Sequence, residues 1–456
     1  MAIDMVRGKI AVDPAVASRI LDEFKRKTPR SAEMAVAARR VMPGGDTRTV
    51  AFHAPYPMTV ARGSGCHFTD VDGNDYLDCL NNYTSLIHGH AHPAIVAAVA
   101  EQLPRGTTFA TSLESQTRLA AIVTDRVASV DLLRFTNSGT EATMNAIRAA
   151  RAYTGRDVIL KMEGGYHGTY DDVEVSVHPD PDLAGDADDP QPVIDARGVP
   201  RNTAENVLVT PFNDLDGARR VFARRGHEIA AVIVEPLLGS AGMIPAETDY
   251  VRGLRDLATE HGALLIFDEV MTFRLERGGL QQLHGVAPDL TAFAKIIGGG
   301  FPIGAFGGRA EIMEMFDPNS AAPLWQSGTF NGNAITMVAG IAAMEHFGAD
   351  EIARINDLGG RLRAGLGSAL ADSAIPSVVT GYGSFVAVHF VDGPVRDYRD
   401  SAAGDQALKR LVHLALLLEG VFCAPRLMMC VSTPMTPGSI DRIVSAFARS
   451  IDRVAG

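Results

Sequence analysis

The 456 residues carry 42 Lys and Arg against 54 Asp and Glu, a net charge of −12, with 46% hydrophobic and 21% charged residues. This length allows two or three domains with a sizeable core, and the composition is neither collagen-like nor that of a disordered chain. The acidic balance argues against a nucleic-acid partner, which needs clustered Lys and Arg.

Met1–Arg30 mixes charges and prolines with short apolar pieces, so no signal peptide is expected there. Ala11–Met42 reads as one or two amphipathic helices, stopped by Pro43-Gly44-Gly45. Short strands follow at Thr59–Ala61 and His67–Asp70, then Asp72-Gly73, a hairpin signal. From Gly89 apolar strands alternate with helices: Leu132–Phe135, Val158–Lys161, Val207–Thr210, Ala231–Glu235 and Leu264–Asp268, with helices at Thr140–Tyr153 and Tyr250–His261. Strands that are apolar throughout imply a parallel sheet covered on both faces, an α/β architecture. Tyr170–Asn206 is rich in Asp, Pro and Gly and has no period; a loop of that length is either functional, such as a lid, or disordered. Asp350–Gly456 reads as a smaller α+β domain with helices at Asp350–Ser373, Ser401–Leu418 and Ser439–Val454. The apolar runs Ile229–Val234, Ala263–Phe267 and Leu414–Leu418 are far too short to span a bilayer, so no membrane association is expected. Cys66, Cys79, Cys423 and Cys430 are scattered without CxxC spacing, which points to a reduced, cytoplasmic protein.

In open α/β sheets sites lie at the carboxyl ends of strands, and three such ends carry chemistry. Asn137-Ser138-Gly139-Thr140-Glu141 precedes a helix, where free N–H groups suit a phosphate; the commoner meaning of such residues is a plain N-cap at Ser138 or Thr140. Asp268 leaves a buried strand; it is either a capping or ion-pair carboxylate or a partner for a protonated ring nitrogen. Lys295 stands between apolar pairs and before Gly298-Gly299-Gly300, and a desolvated lysine is what Schiff-base chemistry requires. The triple glycine does not follow the dinucleotide pattern. A phosphate cradle, a carboxylate for a pyridinium nitrogen and a lysine for an aldehyde together specify pyridoxal phosphate. Tyr166-His167 adds an aromatic that stacks on the ring or belongs to the core. His88, His90 and His92 lack a carboxylate or cysteine at ligand spacing, so no metal site is expected. Arg48 and Arg426 lie in apolar surroundings and need an anion, either an internal carboxylate or that of a substrate.

Across Ala37–Ala455 the chain resembles the class III aminotransferases of fold type I, in the branch of glutamate-1-semialdehyde aminomutase and the β-phenylalanine aminotransferases. The resemblance is carried by Arg134–Ala142, Gly165–Gly168, Ile266–Thr272, Lys295–Gly300 and Ser327–Asn333. It implies a large domain with a mostly parallel seven-stranded sheet at 89–345, a small domain at 346–456, and an N-terminal segment, 1–88, that joins the small domain. It also implies Lys295 as the Schiff-base lysine and Asp268 on the pyridine nitrogen. Val270 and Tyr166 would sandwich the ring, with His167 and Glu235 also at the cofactor and Asn213 approaching the phenolic oxygen. Ser138, Gly139 and Thr140 would hold the phosphate, helped by Thr329 from the partner subunit of a homodimer with shared active sites. Ala424-Pro425-Arg426 and Arg48, with Tyr83 as pocket wall, resemble the carboxylate-binding residues of the β-phenylalanine enzymes. The implied reaction moves an amino group from an amino acid, a β-amino acid with an aromatic or apolar side chain, to a keto acid. The length of Tyr170–Asn206 resembles the aminomutases instead, and makes intramolecular amino transfer the alternative.

Overall fold

The computed structural model describes Ile10 and residues 12–455; the expectations for Met1–Lys9, Ala11 and Gly456 lie outside them. The opening stretch forms two helices, Pro14–Lys27 and Pro29–Ala38, because Pro29 cannot donate to the first one and starts the second. Strands β1 (Val60–Ser64), β2 (His67–Asp70) and β3 (Asp75–Asp78) form an antiparallel meander, with Gly73 at φ +90° turning the hairpin. The large sheet consists of β4 (Leu132–Thr136), β5 (Val158–Met162), β6 (Val207–Thr210), β7 (Ile229–Val234), β10 (Leu264–Asp268), β11 (Leu290–Ala294) and β12 (Gly304–Gly308). A two-stranded hairpin, β8 (Leu237–Leu238) and β9 (Ile244–Pro245), leaves the end of β7.

The seven strands run in the order β4-β12-β11-β10-β7-β5-β6, and only β12 is antiparallel to its neighbours. Alternate side chains enter separate cores, as a sheet buried on both faces requires. Ala231, Ile233, Leu264 and Ile266 pack under the helix Gly139–Thr154. Val232, Val234, Leu265 and Phe267 pack under Leu215–Arg225 and Thr248–His261. β11 and β12 were not apparent in the sequence, and β12 supplies the antiparallel member. Its glycines permit a close approach: a Cβ on Gly304 would lie 2.0 Å from the Ser138 carbonyl oxygen. The residue before Lys295 and the helix that begins at Gly139 are thereby drawn to adjacent positions.

The last part of the chain holds β13 (Val378–Thr380), β14 (Phe385–His389) and β16 (Met428–Cys430) in one small sheet, with helices Ala349–Ala371 and Pro437–Ala455 packed beside it. β15 (Val421–Phe422) instead joins β3 in parallel, so residues near the two ends of the chain share a sheet. The single helix expected over Ser401–Leu418 is two, Tyr398–Ala402 and Gln406–Leu418; Asp405 caps the second by accepting from the Leu408 N–H at 2.9 Å. The 170–206 excursion is anchored rather than loose. Its Val173 and Val175 are buried, Asp172 pairs with Arg151 at 2.7 Å, and Arg399 donates to the Gly185 carbonyl at 2.8 Å while holding the buried Glu163 through two bonds. Among the described residues no helix is long and apolar enough to cross a membrane.

Candidate active site

The carboxyl ends of β4, β5, β7, β10 and β11 converge on a cleft of about 350 Å³. It is lined by Gly139, Thr140, Tyr166, His167, Glu235, Asp268, Val270 and Lys295. Lys295 leaves β11 at φ +53°, a left-handed conformation that is uncommon for a residue with a side chain and clusters at functional sites. Burial lowers its ammonium below the ordinary lysine range, against the opposing pull of Asp268 and Glu235.

Asp268 ends β10, only 4% exposed, and accepts from His167 Nδ1 at 2.8 Å and from the Val270 N–H at 3.1 Å. Burial holds the His167 imidazole below its usual range despite the bond to Asp268, so a neutral ring donates to the carboxylate. Glu235 follows β7 and accepts from the Tyr166 N–H at 2.9 Å and the Gly239 N–H at 3.1 Å. Its burial, and then the nearby Asp268 charge, push its carboxyl up to about 8. Between the ordinary 4.5 and that value the folded carboxyl keeps a proton that the unfolded one has lost. The unfolded state then binds fewer protons, and stability falls as pH rises through this window. Glu235→Gln is expected to flatten that slope, read as denaturant midpoints of the cofactor-free protein at pH 5 and pH 8.

The N-cap reading of Ser138 holds. The Ser138 hydroxyl caps the helix, accepting from the Glu141 N–H at 3.1 Å, while Gly139 and Thr140 start the first turn, where N–H groups have no intrahelical acceptor. A Cβ on Gly139 would meet Val270 at 3.1 Å, so this helix end is pressed close to the ring-binding position.

The expected substrate residues lie at one margin of the cleft. Asn82 lines it, and Asn81, Asn82, Tyr83 and Thr84 have consecutive φ values of +50°, +47°, +54° and +75°, a left-handed turn. Arg48 donates to Asn82 Oδ1 at 2.8 Å, and the Arg426 guanidinium carbon sits 5.7 Å from the Tyr83 ring centre. Arg426 is half-buried, its Nε is buried without a hydrogen-bond partner, and among the described residues no carboxylate pairs with it. An internal ion pair, one of the two readings open to it, is therefore not what the structure contains.

Two expected residues are elsewhere. Asn213 does not line the cleft: its Nδ2 donates to the Pro245 and Arg396 carbonyls at 3.1 and 3.0 Å, and its Oδ1 accepts from the Glu247 N–H at 2.9 Å. The amide thus ties the end of β6 to a neighbouring loop and has no atom left for a ring oxygen. Thr329 lies exposed on the 322–333 loop, outside the cleft of its own chain. Of the three histidines, His88 meets Thr433 Oγ1 and the Ala343 carbonyl, His90 meets Asp78 at 2.8 Å, and the His92 Nδ1 is buried without a hydrogen-bond partner. Asn137, from the expected phosphate segment, lines the cleft, as do Asn82, Ser85, Met271 and Phe301, to which no role was assigned. The paired asparagines at 81 and 82 were the available signal, since Asn tolerates positive φ better than other side chains.

A helix N-terminus for a phosphate, a buried carboxylate for a ring nitrogen, and a desolvated lysine for an aldehyde fit pyridoxal phosphate. Comparison with known proteins agrees. The family model for class-III aminotransferases matches residues 50–435. A β-phenylalanine transaminase of Variovorax paradoxus is 40% identical over 445 residues, covering 97% of this chain and 96% of that one. A glutamate-1-semialdehyde 2,1-aminomutase of Desulforudis audaxviator is 44% identical over 426 residues, covering 91% and 96%. The crystal structure of an omega-transaminase from Sphaerobacter thermophilus superposes with a TM-score of 0.89 at 45% identity, covering 93% of this chain and 98% of that one. The chain therefore belongs to the class-III aminotransferases and is a pyridoxal-phosphate-dependent transaminase of fold type I.

Proposed function

We propose that the enzyme takes the amino group of a β-amino acid with an aromatic or apolar side chain and passes it to a keto acid such as 2-oxoglutarate or pyruvate. The observation that carries this reading is Arg426, a guanidinium against Tyr83 beside the cleft margin, with no carboxylate paired to it among the described residues. A planar guanidinium is matched to a carboxylate, and both donor and acceptor bring one. Arg48, hydrogen-bonded to Asn82 of the left-handed turn, provides a second cation for carboxylate orientation. The name of the Variovorax relative supports the β-amino acid assignment.

Pyridoxal phosphate supplies an aldehyde to carry the amino group and a ring that accepts the electron pair released at the reacting carbon. Gly139 and Thr140 would hold its phosphate by first-turn N–H groups, aided by Ser138. Tyr166 and Val270 would bound the ring, with His167 and Glu235 beside it. Asp268 would hold a proton on the ring nitrogen, with His167 fixing the carboxylate. The Lys295 amine, whose burial favours its uncharged form, would move a proton to and from the amine-bearing carbon of the donor.

We further read the molecule as a cytoplasmic homodimer in which Thr329 enters the partner's site. The 322–333 loop exposes Trp325 and Phe330, 84% and 58% accessible, and Phe330 lines a groove with Phe301 and Asn137 at the cleft mouth. All four cysteines are free, buried thiols, in keeping with a reducing compartment. The division into 1–88, 89–345 and 346–456 is supported by the β3–β15 pairing, which ties the first segment to the last.

Arg426→Ala is expected to raise KM for both the amino acid and the keto acid by roughly 10- to 100-fold, measured in the two half-reactions. The aminomutase relative favours one second reading, intramolecular amino transfer. Incubation with a β-amino acid with and without 2-oxoglutarate separates them: turnover that depends on the keto acid supports transamination, and turnover without it supports the mutase.

A further inference from the structure

We infer that Arg274 is a positioning residue that fixes the carboxylate-binding margin of the cleft relative to its cofactor-binding floor. The inference rests on the assignment of Arg426 and Arg48 to carboxylates. Arg274 lies six residues after Asp268, in the short turn Thr272–Arg274, and is completely buried. Among the described residues no carboxylate pairs with it. A buried unpaired cation costs stability unless every N–H finds an acceptor, so its contacts indicate what it holds.

Those contacts come from segments far apart in sequence. Nη1 donates to the Thr84 carbonyl at 3.4 Å, Nη2 to the Val431 carbonyl, and Nε to Ser384 Oγ at 3.2 Å, while the guanidinium carbon lies 5.2 Å from the Phe385 ring centre. Thr84 closes the left-handed turn that carries Asn82 and Tyr83. The other end of that turn is held from the same direction. Asp78 Oδ1 accepts from the Leu80 and Asn81 N–H groups at 2.9 and 2.8 Å, and Asn81 Nδ2 donates to the Cys430 carbonyl at 3.0 Å. Four consecutive side-chain-bearing residues at positive φ persist only where the surroundings over-determine them. Arg274 supplies the part of that constraint that originates on the Asp268 loop, so the turn presenting Asn82 to Arg48 and Tyr83 to Arg426 is set by the same segment that sets the ring-binding carboxylate. Fixing a carboxylate clamp within a fraction of an ångström of the reacting centre is what such a residue contributes to rate.

The test compares two donors in the first half-reaction, followed by cofactor absorbance: a β-amino acid such as β-phenylalanine, and benzylamine, which lacks a carboxylate. In Arg274→Lys the ratio of kcat/KM for the first to that for the second is expected to fall about 10-fold, mostly through KM, because lysine keeps the charge and loses the fork that reaches three acceptors. Ser384→Ala, which removes one acceptor, is expected to lower the same ratio about 3-fold and serves if the lysine variant does not accumulate as folded holoenzyme. A merely structural arginine would depress both donors in parallel; that result, or an unchanged ratio in the variants, overturns the inference. Arg426→Ala is run alongside. If it leaves the donor ratio unchanged, the carboxylate assignment itself has failed, and if only it lowers the ratio, the fault lies with Arg274.

Discussion

Lys295→Ala is expected to lower kcat for transamination by about 10⁴-fold or more, the largest single effect in the molecule. Two roles are removed together. The variant loses the amine positioned to bond the cofactor aldehyde, and it loses the base that moves the proton at the donor carbon, a role worth up to about 10⁴-fold alone. The geometry explains why no other side chain substitutes. Lysines are few, and Lys161, also buried, donates to the Val175 carbonyl instead of facing the cleft. Borohydride reduction of the wild-type holoenzyme followed by peptide mapping should place the label on Lys295. A label on any other residue, or multiple turnover by the alanine variant near the wild-type rate, would remove the basis of the assignment.

Asp268→Asn should reduce kcat by about 10³-fold with a much smaller change in KM. The isosteric amide keeps an oxygen for the Val270 N–H, and its NH2 can meet His167 Nδ1 once that neutral ring carries its proton on Nε2, so the shape of the β10 end is retained while the negative charge is lost. Each pKa unit of bias withdrawn from the ring nitrogen weakens the protonated form by about 1.4 kcal/mol, and removing one preorganised charge partner at a reacting centre costs about 10²–10³ in kcat. The variant's bound cofactor should show an altered absorbance at constant occupancy. Wild-type kcat with an unaltered spectrum would show that Asp268 does not act on the ring nitrogen.

Most of the large sheet could be read directly, because β5, β6, β7 and β10 are buried on both faces and their apolar runs leave little choice of boundary. Asp268 stood out as a charged residue at the end of such a run, and Lys295 as a lysine between apolar pairs and before three glycines. β12 resisted because Gly304-Ala305-Phe306-Gly307-Gly308 has the composition of a loop, and its strand character comes from the neighbours on both sides rather than from propensity. The break between Ala402 and Gln406 was written in Gly404 and Asp405, a helix stop and an N-cap, and was masked by the apolar period of the residues that follow. Asn213 shows the converse. It stands at a strand end, the right kind of place, but at φ +61° its amide turns to backbone groups, a conformation set by tertiary contacts. The left-handed turn at 81–84 is likewise held, beyond the nearby Asp78, by contacts with Arg274 and Cys430, which no local window contains.

The pairing of β15 with β3 determines the order in which the enzyme can be completed during synthesis. The strands that carry the cofactor floor end at β12, but the margin around Asn81 relies on the Cys430 carbonyl, 349 positions later. Closing so long a loop is slow relative to local contacts. A nascent chain still attached to the ribosome therefore has emitted every strand of the large sheet before it has the carbonyl that holds the opposite margin of the cleft.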